Sequence, residues 1–322
     1  MKKYNIQERV FKVNLKYARL QNKTKELFFK CLDEGRDTEY FKKKLYKLWK
    51  NTNTDYLEEQ VEEYAEVIHE ENIEGKKTEE VKTEEEGSII FALIPFINVD
   101  KQKNKFLYDK TREYKRSYES PVYKADKKQY LSMKVQRYTS DTVPYYHNNK
   151  PIRKVKLSTY ASMVYNSNAT RESWNKTIND GDMIGEYMYY IPYHPFSCEH
   201  CVSHQEKVMT KAELVALAGI LDTDTQEILH PNCQCRLEIY NDRRETTKSP
   251  YTEKQKQEYY DIKQKTNSLR LKKEELLSDL RIQKRLGEQE EVDKLNKKRM
   301  RINNSLKELK EELPEELRNE LY

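Results

Sequence analysis

Four cysteines set the terms for the chemistry open to this chain. Cys198-Glu199-His200-Cys201 places two thiols on one short turn, and after thirty-one intervening residues Cys233-Gln234-Cys235 adds two more. A Cys-x2-Cys turn lets both sulfurs face one ion at the ~2.3 Å that tetrahedral zinc takes. A Cys-x-Cys pair can do the same from an irregular turn, though less commonly. His230, just upstream of Cys233, is the alternative ligand if one of that pair points away, and His200 and His204 are further substitutes. Four protein ligands close a site, so the expectation is a structural zinc with no open position for chemistry. In so small a region, metal binding would supply much of the folding free energy.

The elements that must position these residues follow from periodicity. A helix is expected from Leu157 to about Asn179, with Tyr160, Ala161, Val164, Ala169, Trp174 and Ile178 inward and a stop at Asn179-Asp180-Gly181-Asp182. Glu186–Ile191 reads as a strand ended by Pro192, and Arg236–Tyr240 as a second. Between them Thr210–Ala218 predicts a short helix, with Thr210 as N-cap and Glu213 in capping-box position. The expected core domain, 157–245, is therefore small, mixed α/β and pinned by the cluster.

The rest of the chain is mainly α. Residues 1–70 show helical spacing, with a break at Glu34-Gly35 and a further helix from about Thr54 carrying Leu57, Val61, Tyr64 and Ile68 on one face. Residues 71–88 are an acidic linker, and Ile89–Ile94 is either a buried strand or a partner-binding segment. Residues 89–156 form a basic, tyrosine-rich region with turn signals at Ser120-Pro121, Val143-Pro144 and His147-Asn148-Asn149. Residues 250–322 keep a heptad-like rhythm through Leu269, Leu276, Leu280, Val292, Leu295, Ile302, Leu306, Leu309 and Leu313, divided at Gly287. They predict a helical hairpin, or a coiled coil that self-associates with another chain. Trp49, Trp174 and Cys31 are expected in cores, and His69 on a solvated helix face.

Charge and composition narrow the function classes. Of the 322 residues, 36% are charged and only 7 are glycine, which favours long helices over one large core. Net charge is +5, but it is divided: the stretch 55–86 is strongly acidic and 101–160 strongly basic. Lys101, Lys103, Lys105, Lys110, Arg112, Lys115, Arg116, Lys127, Lys128, Arg153, Lys154 and Lys156, interleaved with tyrosines, suit either a nucleic-acid surface, double-stranded DNA among them, or an acidic-protein surface, the plain alternative being a solvated face. The longest apolar run, Ile89–Ile97, falls short of the ~20 residues that span a bilayer, so no stable membrane insertion is expected. The lysine-rich start does not read as a secretory leader, and the cysteine spacing suits a reducing compartment, the cytoplasm in which the chain is made. Neither an acidic pair nor a glycine-rich phosphate loop accompanies the cluster, so an enzyme is not expected.

A family resemblance appears in the same residues. The run Ser158 to Ser173, carrying Arg171 and Glu172, is followed by Cys198-x2-Cys201-x3-Gln205-x-Lys207-Val208 and then His230-Pro231-Asn232-Cys233-x-Cys235. Together they resemble the C-terminal domain of phage minor capsid proteins of the minor capsid protein 2 type, distantly related to Mu F-like head morphogenesis proteins. The resemblance covers roughly 157–240. Glu206 stands where the family usually has glycine, and Gln234 where arginine is common. The resemblance implies a virion protein of few copies in the inner capsid, associated with the portal and other head proteins. It further implies a role in head morphogenesis and DNA delivery. The alternatives are a cytoplasmic zinc-binding adaptor working through its coiled-coil tail and, with less support, a DNA-processing enzyme.

Overall fold

A computed structural model describes residues 6–52, 54–73, 89–138, 142–147, 150–185, 188–218, 233–240, 246 and 248–321. It is mainly helical with a small sheet. In chain order the elements begin with α1 (Ile6–Asp33), α2 (Thr38–Trp49), α3 (Thr54–Ile73), α4 (Ile89–Glu119), α5 (Pro121–Ala125) and α6 (Lys127–Arg137). A hairpin of β1 (Thr142–His147) and β2 (Lys150–Lys156) leads into α7 (Leu157–Met183). Then come β3 (Met188–Tyr190), α8 (Glu199–Val202), β4 (Val208–Thr210), α9 (Lys211–Ala218) and β5 (Glu238–Ile239). The chain closes with α10 (Glu253–Leu286), α11 (Gln289–Glu311) and α12 (Glu315–Arg318). No helix among the described residues is long and apolar enough to cross a membrane.

Two compact units divide the chain, each assembled from three separate stretches. One takes residues 1–11, 54–98 and 162–264, and the other 12–53, 99–161 and 265–322.

The first unit holds the four clustered cysteines, Cys198, Cys201, Cys233 and Cys235. Its sheet is antiparallel in the order β4-β3-β5, with Tyr189 facing Met209 on one side and Ile239 on the other. Three strands this short cannot hold together on backbone hydrogen bonds alone. They persist because Trp174 and Ile178 of α7 pack with Tyr189, Ile191, Met209, Leu214, Leu237 and Ile239 into one buried cluster. α3 buries Leu57, Val61, Tyr64 and Ile68, the face its spacing predicts. The capping box also forms: Thr210 N donates to Glu213 Oε2 at 2.8 Å, and Glu213 N to Thr210 Oγ1 at 3.2 Å.

The second unit is built on aromatic rings. Phe41 stacks on Tyr114 with centroids 4.2 Å apart, Phe28 meets both edge-on, and the Trp49 indole N–H donates to Thr24 Oγ1 at 2.8 Å. Cys31 is fully buried here, its thiol pushed up to about 11, first by burial and then by Glu34. α10 runs alongside α1 in the same direction, joined by Arg19–Glu274, Lys25–Asp279, Arg281–Glu26 and Arg285–Asp33. α10 folds back on α11 through Leu276, Leu280 and Val292, with Leu295 and Ile302 packed against them. The turn between these helices is Gly287 at φ +75°, with open space where a Cβ would sit.

Several sequence expectations need correction. Ile89–Ile94 is not a strand but the first turns of α4. Val143-Pro144 is no turn: Pro144 lies within β1, opposite Lys154. A two-stranded ribbon has an outer edge that tolerates the missing N–H. The helix α7 runs through Asn179-Asp180-Gly181-Asp182 to Met183, and the left-handed residue that follows it is Gly185, φ +71°. Asp180 does not cap the helix; it is buried, and its Oδ1 lies 2.7 Å from His69 Nδ1. His69 is thus tied to α7 and not simply solvated. Of the acidic linker, 71–73 belongs to α3, and 74–88 lies outside the described residues.

Because the backbone conformation at Gly287, and not any lack of space, is what favours glycine there, Gly287→Ala should cost about 1–2 kcal/mol, the left-handed penalty of an L-residue. Gly287→Asn should cost less. Urea denaturation of the three proteins checks the order.

Candidate metal centre

The first pair of thiols sits on a single helical turn. Cys198 precedes α8, its carbonyl accepts from Val202 N at 3.0 Å, and Cys201 therefore points inward from the same turn. The second pair comes from an irregular segment with no ladder of its own, so its carbonyls need other donors. α7 supplies them. Asn166 Nδ2 and Thr170 Oγ1 both donate to Cys233 O, at 3.1 and 3.2 Å, and Trp174 Nε1 donates to Cys235 O at 2.8 Å. These three residues recur every fourth position, so one helix stripe holds the whole Cys-x-Cys segment.

The outcome is a buried sulfur cluster. Cys201, Cys233 and Cys235 bring their sulfurs within 4.8 Å of one another, and Cys201 Sγ lies 3.9 Å from Cys233 Sγ. A tetrahedral ion with metal–sulfur bonds of ~2.3 Å sets its sulfurs ~3.8 Å apart, so this group could hold a metal ion. Cys198 is half-buried at the rim: it is hydrogen-bonded to Cys201 and, with Cys201 and Cys235, lines a cavity of about 20 Å³ beside Phe196, Gln7 and Tyr260. That volume is about one water-sized occupant. The Cys201 thiol is held far above its ordinary range, through hydrogen bonds to Cys198, Cys233 and Cys235 and then burial. Cys235 is likewise raised: its bond to Cys201 works the other way, but Cys233 and burial outweigh it. Sulfurs this crowded stay protonated unless a cation sits among them.

Gln205 ties the two halves together. Its side chain is buried; Nε2 donates to Ser197 Oγ at 2.6 Å and lies 3.8 Å from Cys235 Sγ, while Oε1 accepts from His194 N at 3.3 Å. Next to it Glu206 takes φ +61°, the single positive φ among described non-glycine residues. The turn therefore keeps the conformation that glycine supplies, although glycine is absent. The cost is offset by contacts: Glu206 N donates to Ile191 O at 2.8 Å, and its carboxylate lies 3.2 Å from the buried Lys256 ammonium.

Other sequence-predicted site residues fall elsewhere. His200 is exposed and pairs edge-to-face with His204, centroids 5.4 Å apart, and neither joins the sulfur group. Burial, then His200 and Lys207, holds the His204 imidazole below its usual range. His230, Pro231 and Asn232 lie outside the described residues. Arg171 is half-buried on α7, its guanidinium lowered by burial and supported by Glu172; Lys207 is exposed at the start of β4. Spacing alone did not reveal Asn166 and Thr170. The available signal was polar residues on the inward stripe of a helix, at Asn166 and Thr170 below Trp174.

The twelve basic residues are not one surface. Lys103 is buried against Thr52 O and Asp100, and Lys110 is buried against Glu113 and over the Tyr138 ring. Lys127 bonds Asp33, Lys128 pairs with Glu288, Lys115 with Glu119 and Lys156 with Glu275. Lys101, Lys105, Arg112, Arg116 and Lys154 are exposed, and the Arg153 side chain lies outside the described residues. Of the interleaved tyrosines, Tyr114, Tyr123, Tyr130 and Tyr160 are buried and Tyr118 and Tyr138 half-buried, while Tyr108 is 63% exposed.

Comparison with known protein families, with characterised proteins and with solved structures returned no match.

Glu206 carries opposing effects that substitution separates. Glu206→Gly removes a backbone cost of about 1 kcal/mol but strands a buried ammonium, which costs more; the expected net is a loss of stability of about 1–2 kcal/mol. In the Lys256→Met background the same glycine should stabilise. A double-mutant cycle by chemical denaturation reads the sign change.

Proposed function

We propose that this chain is a phage minor capsid (minor head) protein, associated with the portal and neighbouring head proteins, whose core domain is pinned by a structural zinc on Cys198, Cys201, Cys233 and Cys235. The observation that carries the reading is the αL turn at Glu206 between the two cysteine pairs. It sits at the position where the resembled family uses glycine, and it serves to present Gln205 to Cys235. A chance Cys-x2-Cys would have no reason to keep that turn.

Zinc is the preferred ion because a compact all-sulfur donor set selects zinc or an iron–sulfur cluster, and the ~20 Å³ cavity suits a single ion. When bound, zinc would hold the thiols as thiolates and link the α8 turn to the Cys233–Cys235 segment that α7 holds; from the start of α10 Tyr260 lines the cavity and Gln257 Oε1 accepts from Glu199 N at 2.6 Å. With all four positions taken by sulfur, no site remains for a substrate or an activated water, which favours a structural over an enzymatic role.

Mass spectrometry of gradient-purified particles and empty procapsids tests the role. The expected result is this chain at a few copies per particle in both. Absence from both, with metal still bound to the recombinant protein, would instead support a cytoplasmic zinc-binding adaptor. Because metal binding requires thiolates, acidification should weaken it: zinc retention should fall steadily below neutral pH, read with a colorimetric chelator.

A further inference from the structure

The exposed face of α4 carries a row of cations. Val99, Lys103, Phe106, Lys110, Tyr114 and Ser117 are buried and mark the inner side. At 100° per residue the opposite side presents Lys101, Lys105, Tyr108, Arg112, Lys115 and Arg116 in one arc about 100° wide, and all six are exposed. Over the same length the inward lysines are neutralised within the chain, Lys103 by Asp100 and Lys110 by Glu113. No ion pair holds Lys101, Lys105, Arg112 or Arg116 among the described residues. Lys115 has a 3.9 Å pair with Glu119, both ends about 60% exposed, a contact worth little in water. Asp109 and Glu119 are the acidic groups on this side. Asp109 borders Arg112 and Arg116 in a surface hollow with Glu113 and Lys134. The fold has sorted the basic region into lysines that build the core and cations left to solvent.

We infer that this α4 stripe binds the phosphate backbone of duplex DNA without reading sequence. The cations from Lys101 to Arg116 span roughly 22 Å along the helix, which is the length of about six base pairs at 3.4 Å each. Lys and Arg neutralise phosphates, and Tyr108, exposed at the middle of the row, adds a hydroxyl that donates to a phosphate oxygen. The charge pattern selects a polyanion. DNA as the polyanion rests on the minor-head reading, in which packaged DNA is the neighbour.

The test uses the full chain, a fluorescent duplex of arbitrary sequence and anisotropy over a salt series. Four to five phosphate contacts predict a log–log salt slope between about −3 and −5, and about a hundred-fold weaker binding between ~50 and ~200 mM salt. The quadruple variant Lys101→Gln/Lys105→Gln/Arg112→Gln/Arg116→Gln should lose most of the affinity. A control with the same charge loss on α11, Lys297→Gln/Lys298→Gln/Arg301→Gln/Lys307→Gln, should keep it within about threefold. A stripe variant that binds undiminished overturns the inference, as does equal loss in the control. Poly-glutamate competing as well as unlabelled duplex would overturn DNA as the occupant. The two claims fail separately: absence of the wild-type chain from particles sinks the minor-head reading and leaves the stripe standing.

Discussion

Buried sulfur is the constraint on which the cysteine-bearing unit depends. A small sheet of three short strands has too little surface to define its own core. The space between α7 and that sheet is filled partly by Cys201, Cys233 and Cys235, which sit in the same cluster as Trp174, Tyr189 and Leu237. As thiols they are modest hydrophobes; around a cation they become a cross-link joining two loops 31 residues apart in sequence. The hydrogen bonds from Asn166, Thr170 and Trp174 to the carbonyls of Cys233 and Cys235 orient the sulfurs before any ion arrives. Such outer partners are what make metal ligands selective and tight.

The second unit solves a different problem with the same lysine-rich alphabet. Aromatic rings and long side chains share its interior with the buried leucines and valines. Phe28, Phe41, Trp49 and Tyr114 form the centre. The Tyr123 hydroxyl donates to Leu32 O, so that a polar tip buried with the ring is satisfied. Lys110 lies over the Tyr138 ring at 4.4 Å while its ammonium reaches Glu113. A cation counted from sequence as surface charge thus becomes a structural strut. The row of ion pairs between α1 and α10 then explains why the C-terminal helices are integral to this unit within one chain.

How much of this was legible depended on whether the signal was local. The mainly helical class, the break at Gly35, the hairpin at Gly287 and the Thr210–Glu213 capping box all rest on residues a few positions apart, and each is present. The four cysteines were visible by type and spacing, and three converge with the fourth at the rim. What was hidden depended on distant partners. Asp180 reads as a helix stop until His69, 111 residues away, is placed beside it. Glu206 reads as a departure from glycine, and only the backbone angle and Lys256 reveal that the turn survives. Tyrosines among lysines read as a surface, but Tyr114 packs its ring against Phe28 and Phe41, and Tyr123 and Tyr130 are buried beside it. The β1–β2 ribbon was missed because Pro144 is a turn residue by propensity and an edge-strand residue here.

X-ray absorption at the zinc edge, on protein purified under reducing conditions, tests the central claim most directly. The expected result is one zinc per chain with a shell of four sulfurs at ~2.3 Å and no nitrogen. A shell containing histidine nitrogen or water oxygen in place of one or more sulfurs, or protein that folds fully with no metal, would contradict it.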